Sequence, residues 1–309
     1  MKYLSIFISL VISILSLEIF VRYSFDNGMN YEIEMMKYAN KLKIISKDKN
    51  VGIEHRKNIK SFLMGAEIIL NSDGFRNNKN VIPEKKKILM LGDSMTLGWG
   101  AKKPFSNILD DKINNFQIIN AGIGNTNTLM QIANFEKNFK NKYNYDIIVL
   151  NFFINDFEKV EIIKPNFLEK YSYFYTFILN KINIILIKFN LKKSWETFYS
   201  DSYKNKEIHQ KTLNKILQLN YYCKENSIKF IIHNIPELRD LKNYKFKNET
   251  KIISEFSVKN DITFLNSHSI LKNYNPQDLW VTELDPHAND KAHDIIADFL
   301  LDKIAIYVN

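Results

Sequence analysis

Five short apolar runs limit what this chain can fold into. They are "KILMLG" (87–92), "FQIIN" (116–120), "YDIIVLNFF" (145–153), "IKFIIHNIP" (228–236) and the weaker "ITFLN" (262–266). Runs of that length, without polar alternation, suit strands buried on both faces of a parallel sheet. Stretches of helical length lie between them, near 105–115, 126–143, 205–226 and 249–260, and a last one runs from about 290 to 307. Strands alternating with helices predict the α/β class, a three-layer doubly wound parallel sheet over residues 86–309. In such sheets the reactive groups gather at the carboxyl ends of the strands.

Composition narrows the classes of partner. The chain has 309 residues and a formal net charge of +9. Its lysines are scattered among asparagines and isoleucines rather than gathered into a stripe, so no nucleic-acid partner is expected. The single cysteine, Cys223, excludes an intramolecular disulfide and a cysteine-built zinc cage.

The N-terminus "MKYLSIFISLVISILSLEIFVRYSF" is apolar from Leu4 to Val21 apart from small serines and Glu18. As a helix this stretch spans roughly 27 Å, close to a bilayer core. A cleaved signal would have a shorter apolar region and a small-x-small site, and no Ala-x-Ala-like site is present. Residues 1–25 are therefore expected as an uncleaved transmembrane anchor, with a cleaved signal as the alternative. The positive-inside count favours a cytoplasmic amino terminus only weakly. The expected location is a single-pass membrane protein with its main domain outside the cytoplasm.

Residues 26–85 read as a polar connecting region, with a turn at "NSDGFRNN" (71–78) where Gly74 supplies a positive φ. One segment breaks the alternation. "YSYFYTFILNKINIILIKFNLKKSWETFYS" (171–200) is apolar and aromatic, and falls inside an insertion at about 157–204, between the third and fourth strands. A helix covering the sheet is the default expectation for it. A lid over the site, or a surface touching the membrane, are the alternatives.

Four fragments carry candidate chemistry. In "KILMLGDSMTLGWG" (87–100), Ser94 directly follows a strand, where its hydroxyl projects at the sheet edge and its N–H is free to donate. This is not the Gly-x-Ser-x-Gly elbow, since Thr96 stands two after Ser94. "NAGIGNTNT" (120–128) places Gly122 and Gly124 after the second strand, where a backbone N–H can face a ligand oxygen. "NFFINDFE" (151–158) ends the third strand with Asn155. "TELDPHANDKAHDIIADFL" (282–300) sets Asp285 and His287 on a loop before the closing helix, close enough for the carboxylate to fix the imidazole. His293 has a packing or capping role open to it. His55, His209, His233 and His268 lack comparable partners and are expected to be structural or exposed.

Together, in this order, the four fragments resemble the blocks of the SGNH, or GDSL-type, hydrolase family, and "NSDGFR" with "GDSMTLGWG" resembles its membrane-anchored bacterial branch. The resemblance covers roughly residues 70–305. It implies an SGNH-hydrolase, flavodoxin-like fold and a serine ester hydrolase. Ser94 would be the nucleophile, His287 the base and Asp285 the triad acid. The Ser94 N–H, Gly124 N–H and Asn155 amide would form the oxyanion hole. Gly122 is the alternative glycine and Glu283 the alternative acid. Two positions depart from the family pattern: Phe153 stands where a glycine is usual, and Leu284 stands three before His287 where an aspartate is common. Asp285-Pro286-His287 matches the Asp-x-His form of some anchored relatives. The implied substrate is an O-acyl ester, acetyl on a cell-surface glycan, with no metal or organic cofactor. A lysophospholipase or lipase-like esterase, an acyltransferase using the same triad, and a non-catalytic glycan-binding or assembly protein on the same fold are the other readings.

Overall fold

A computed structural model describes residues 2–308. It opens with helix α1 (Lys2–Phe25), of which only Val21 is buried. With a mean hydropathy of 2.5, α1 is the one helix among the described residues long and apolar enough to cross a membrane. Helix α2 (Tyr31–Lys41) follows, then the short strands β1 (Lys43–Ile45), β2 (Ile53–His55), β3 (Ile59–Leu63) and β4 (Ala66–Leu70). β1 pairs with β2 and β3 with β4, both antiparallel. Residues 26–85, read from sequence as a polar connection, thus form an ordered layer. Tyr38, Leu42, Leu63, Met64, Ile68 and Leu70 are buried in it together with Leu97 and Trp99 of the main domain. Its strands are only three to five residues long, too short for a periodic signal, and α2 buries the acid Glu34 beside Ile33, Met36 and Tyr38, which blurs its apolar stripe.

The main domain runs β5 (Lys86–Leu91), α3 (Ser94–Leu97), α4 (Phe105–Lys112), β6 (Phe116–Asn120), α5 (Thr128–Asn134), β7 (Ile147–Phe152), α6 (Phe167–Tyr171), α7 (Tyr173–Lys188), α8 (Trp195–Lys204) and α9 (Lys206–Glu225). It closes with β8 (Lys229–Asn234), α10 (Lys247–Lys259), β9 (Thr263–Asn266), α11 (His268–Leu271), β10 (Trp280–Thr282), β11 (Asp285–Ala288) and α12 (Asp290–Val308). The five expected apolar runs become a five-stranded sheet in the order β6-β5-β7-β8-β9. All four pairings are parallel, with Ile88 opposite both Ile118 and Ile147. This is the flavodoxin-like order, in which the chain leaves β5 in one direction and comes back on its other side as β7.

Alternate residues of each strand feed two separate cores, as the period of two requires. Ile88, Met90, Ile118, Val149 and Ile231 meet Phe105 and Leu109 of α4 and Ile296 and Leu300 of α12. Leu89, Leu91, Ile119, Ile148 and Ile232 meet Ile132 of α5, Ile216 and Leu219 of α9 and Ile253 of α10. The sheet is therefore the middle of three layers.

The default expectation for the insertion, a helix covering the sheet, does not describe α7, which has no buried residue. The sheet faces are already covered by α4 and α12 on one side and by α5, α9 and α10 on the other. α7 instead packs beside α1 and α2.

Candidate active site

The site is built on the turn that leaves β5. A Cβ on Gly92 would lie 2.0 Å from the Thr96 hydroxyl, so only glycine fits where the strand bends into α3. Asp93 caps α3 by accepting from the Met95 N–H at 2.9 Å. Gly98, at φ 79°, ends α3 after one turn in the left-handed conformation, which costs glycine little. Gly100 also has positive φ, and Val281 packs where its side chain would be. These demands explain three glycines in so short a stretch.

Ser94, the first residue of α3, sits at the carboxyl end of β5, and its Oγ lies 2.9 Å from His287 Nε2. His287 Nδ1 lies 2.5 Å from Asp285 Oδ1. Asp285 and His287 were expected on a loop. They occupy the same face of β11, two residues apart, so the strand itself sets their contact. The second carboxylate oxygen of Asp285 accepts from the Trp99 indole N–H at 3.1 Å, and Asp285 is buried. Glu283, the alternative acid, is exposed. Burial by itself would lower the pKa of the His287 imidazole. The charge and hydrogen bond of Asp285, with Asp93 adding to them, outweigh it, and the net shift is upward.

Three groups were expected to face the oxyanion, and the structure places them differently. The Ser94 N–H opens the first turn of α3, where a helix leaves its N–H groups without internal partners. Asn155, just beyond β7, donates one amide hydrogen to Asp93 Oδ2 at 3.1 Å and keeps the other, while its own Oδ1 is buried without a partner. The Gly124 N–H donates instead to the Tyr38 hydroxyl at 3.0 Å. Gly124 does lie against Ser94: a Cβ built on it would be 3.5 Å from Ser94 Cβ and 3.0 Å from the Tyr38 ring. Gly122 serves packing. Its N–H donates to Asn120 Oδ1, and a Cβ there would meet the Leu97 nitrogen at 2.3 Å.

Sequence reasoning missed the wall that α2 and the turn before β5 build behind the triad. Tyr31 stacks on His287, with ring centroids 5.9 Å apart. Tyr31 and Tyr38, two turns apart on α2, both contact the Trp99 ring that holds Asp285. The Tyr38 hydroxyl also meets His55 Nε2 at 2.7 Å, and His55 Nδ1 faces the Gly74 carbonyl at 3.0 Å. With Nδ1 donating to that carbonyl, Nε2 accepts from Tyr38, and the hydroxyl is left to accept from Gly124. Arg76, the last residue of "NSDGFR", is buried and donates to the carbonyls of Leu97 and Ala101, both at 2.6 Å. It clamps the glycine loop that follows Ser94. The motif was visible in the sequence, but the loop it grips was not.

The remaining histidines are structural. His233 bridges Asn151 and Ser267, and His293 Nδ1 accepts from the Phe105 N–H at 3.1 Å. His268 contacts the Leu241 carbonyl, and His209 packs against Phe157.

Ser94, Asn155, Asp285 and His287 line a cavity of about 520 Å³. Its walls are mixed. Tyr31, Trp195 and Tyr199 supply aromatic faces, while Asn125, Glu158 and the Glu237–Arg239 pair supply polar ends. Asn180, Asn183, Ile184 and Ile187 of α7 close one side. Burial, with Asp93 nearby, pushes the Glu158 carboxyl up to about 8, so it is protonated at neutral pH and able to donate a hydrogen bond. No cluster of three or more metal-ligating side chains occurs among the described residues.

Among solved structures, the chain is similar to an acetylxylan esterase from Geobacillus stearothermophilus, with 13% identity and a TM-score of 0.46 over 74% of this chain and 99% of that one. It is similar to a member of the lipolytic G-D-S-L family from Veillonella parvula, with 15% identity and a TM-score of 0.45 over 71% and 98% of the two chains. A third similar structure is an acetyl xylan esterase, with 15% identity and a TM-score of 0.44 over 71% and 99%. No family model and no curated protein sequence matches the chain.

Proposed function

We propose that the protein is a serine ester hydrolase of the SGNH type, held at a membrane by α1. The observation that carries this reading is the connected line from the buried Asp285 through His287 to Ser94, ending in an open cavity. In the reaction, the Ser94 hydroxyl gives its proton to His287 Nε2 as its oxygen attacks the ester carbonyl. Asp285 holds the Nδ1–H tautomer and stabilises the imidazolium. The Ser94 N–H and the free Asn155 amide hydrogen receive the oxyanion. Collapse of the intermediate passes the proton from His287 to the departing alcohol and leaves an acyl-serine. Water, deprotonated by His287, then releases the acid. A sugar hydroxyl in place of water would make the same steps an acyl transfer.

For substrate we propose an O-acyl ester on a glycan, with acetyl as the acyl group. Aromatic faces beside hydrogen-bonding ends suit a sugar ring, and a carboxyl that donates at neutral pH suits a hydroxylated ligand. The second reading, a lipid ester, is favoured by α7, whose Ile182 and Ile185 stand exposed with Phe189 just past its end. A panel of acetylated sugars and long-chain lipid esters, run on the wild type and Ser94→Ala, tests both. The expected result is hydrolysis of acetyl esters that Ser94→Ala loses entirely. Preference for long-chain esters would move the assignment to the second reading, and activity surviving in Ser94→Ala would remove the mechanism.

A further inference from the structure

Glu18 is the one acid in the apolar stretch of α1, and it does not face solvent alone. Its carboxylate accepts from the backbone N–H groups of Tyr173 and Phe174, both at 3.0 Å, and from the Ser172 hydroxyl at 2.7 Å. These N–H groups belong to the first turn of α7, which a helix leaves without internal partners. The α7 helix has a cap of its own, Ser172, but that hydroxyl serves the Tyr175 N–H. Arg22, one turn on in α1, pairs with Glu18 at 2.7 Å and donates to the Tyr171 carbonyl at 2.8 Å. Its guanidinium also lies 4.2 Å from the centre of the Tyr173 ring. Nearer the pocket, Phe25 and Phe177 meet with ring centroids 4.4 Å apart. The last two turns of α1 thus grip the first two turns of α7 by charge, hydrogen bonds and ring packing. Two turns further along, α7 presents Asn180, Asn183, Ile184 and Ile187 to the cavity that holds Ser94. No side chain of α7 is fully buried, and besides α1 the helix meets α2, where Thr176 donates to Met36 Sδ at 3.4 Å and Lys37 lies over the Tyr173 ring.

We propose that α1 is a working part of the pocket as well as a tether. Glu18 is a positioning residue that fixes the α7 wall, and that wall recognises the portion of a bulky ester lying beyond the acyl group. The assignment rests on the serine-esterase reading above for its substrate, and on the helix contacts alone for the docking. A chain cut after residue 22 would lose both Glu18 and Arg22 from the domain, so the wall would be fixed only while the helix is retained.

The test uses the full chain in lipid nanodiscs and compares wild type, Glu18→Ala, Glu18→Gln and Arg22→Ala. Amide hydrogen exchange over residues 171–190 reads the docking without reference to activity. Exchange in Glu18→Ala is expected to quicken about tenfold there and to stay unchanged in the sheet strands, with Glu18→Gln between it and wild type. Kinetics read the wall. For a bulky acetylated oligosaccharide, KM should rise about tenfold in Glu18→Ala, whereas kcat and the rate with p-nitrophenyl acetate stay at the wild-type level. Arg22→Ala should move both readouts the same way and serves if Glu18→Ala fails to fold. Unchanged exchange over 171–190 overturns the docking. Faster exchange with unchanged KM, or an equal fall in both ester rates at an unchanged melting temperature, overturns the role of the wall. A wild type inactive on both esters contradicts the esterase reading and its substrate-binding wall, while exchange still decides the docking.

Discussion

At the scale of single residues, Ser94, Asp285 and His287 stood out in the sequence because short motifs carry them, and the fold sets their side chains in hydrogen-bonding contact. It left open which acid faces the imidazole. Asp285 is buried, within 2.5 Å of His287 and braced by Trp99, whereas Glu283 is exposed. Asp285→Asn is therefore expected to lower kcat by about 10³–10⁴-fold, the scale seen when a triad aspartate loses its charge. Glu283→Gln should leave it within a few-fold. The same residue sets the pH profile. His287 acts as base only when neutral, and Asp285 and Asp93 together raise its pKa above the ordinary 6.5 against the pull of burial. In the wild type kcat/KM should rise with pH through a midpoint above 6.5. In Asp285→Asn burial dominates and the midpoint should move down. A midpoint at or below 6.5 in the wild type would contradict the ion pair. The Tyr38–His55–Gly124 chain was illegible, because its members are far apart in sequence and meet only after folding. Tyr38→Phe leaves the buried Gly124 N–H and His55 Nε2 without partners and should destabilise the fold by about 1–3 kcal/mol. Because that N–H is engaged by Tyr38 rather than open to substrate, kcat should change less than tenfold. Thermal melts beside steady-state rates check both, and a hundredfold loss of kcat at an unchanged melting temperature would show that the Tyr38 hydroxyl serves catalysis rather than the fold.

Among secondary-structure elements, legibility followed burial. The strands β5 to β8 were readable because each is buried on both faces and so appears as an unbroken apolar run, whereas β9, half-buried at the sheet edge, gave the weaker one. The strands β1 to β4 were not, since each is short and partly exposed. The α7 helix misled for a related reason. An apolar helix ordinarily covers a sheet, but both faces of this sheet were already taken. The contact between the loop after β6 and α3 offers a sharp test of how Ser94 is positioned. A methyl on Gly122 would lie 2.3 Å from the Leu97 nitrogen and 2.8 Å from the Thr96 carbonyl carbon. Backbone atoms within α3 have no rotamer by which to yield. Gly122→Ala should therefore destabilise by at least about 1–3 kcal/mol and displace α3. A melting temperature equal to that of the wild type would show that the two segments are farther apart than described.

For the molecule as a whole, strand order decides where the polar groups at the strand ends meet. In a parallel sheet with the order β6-β5-β7-β8-β9 the winding reverses at β5, and β5 ends just before Ser94. The neighbouring β7 leads into Asn155, and the hairpin β10–β11 before α12 returns Asp285 and His287 to the same mouth. The doubly wound plan and the residues at its strand ends were legible from the apolar runs and from the motifs that follow them. The wall behind the triad was not, because α2, Trp99 and Arg76 meet only through long-range packing. The central claim, that Ser94 is an activated nucleophile in an open site, is tested most directly by a fluorophosphonate probe followed by peptide mapping. The account predicts one phosphonyl adduct on the peptide containing Ser94, absent from Ser94→Ala and formed much more slowly in His287→Ala. Failure of the folded wild type to react, or an adduct on any other serine, would contradict it.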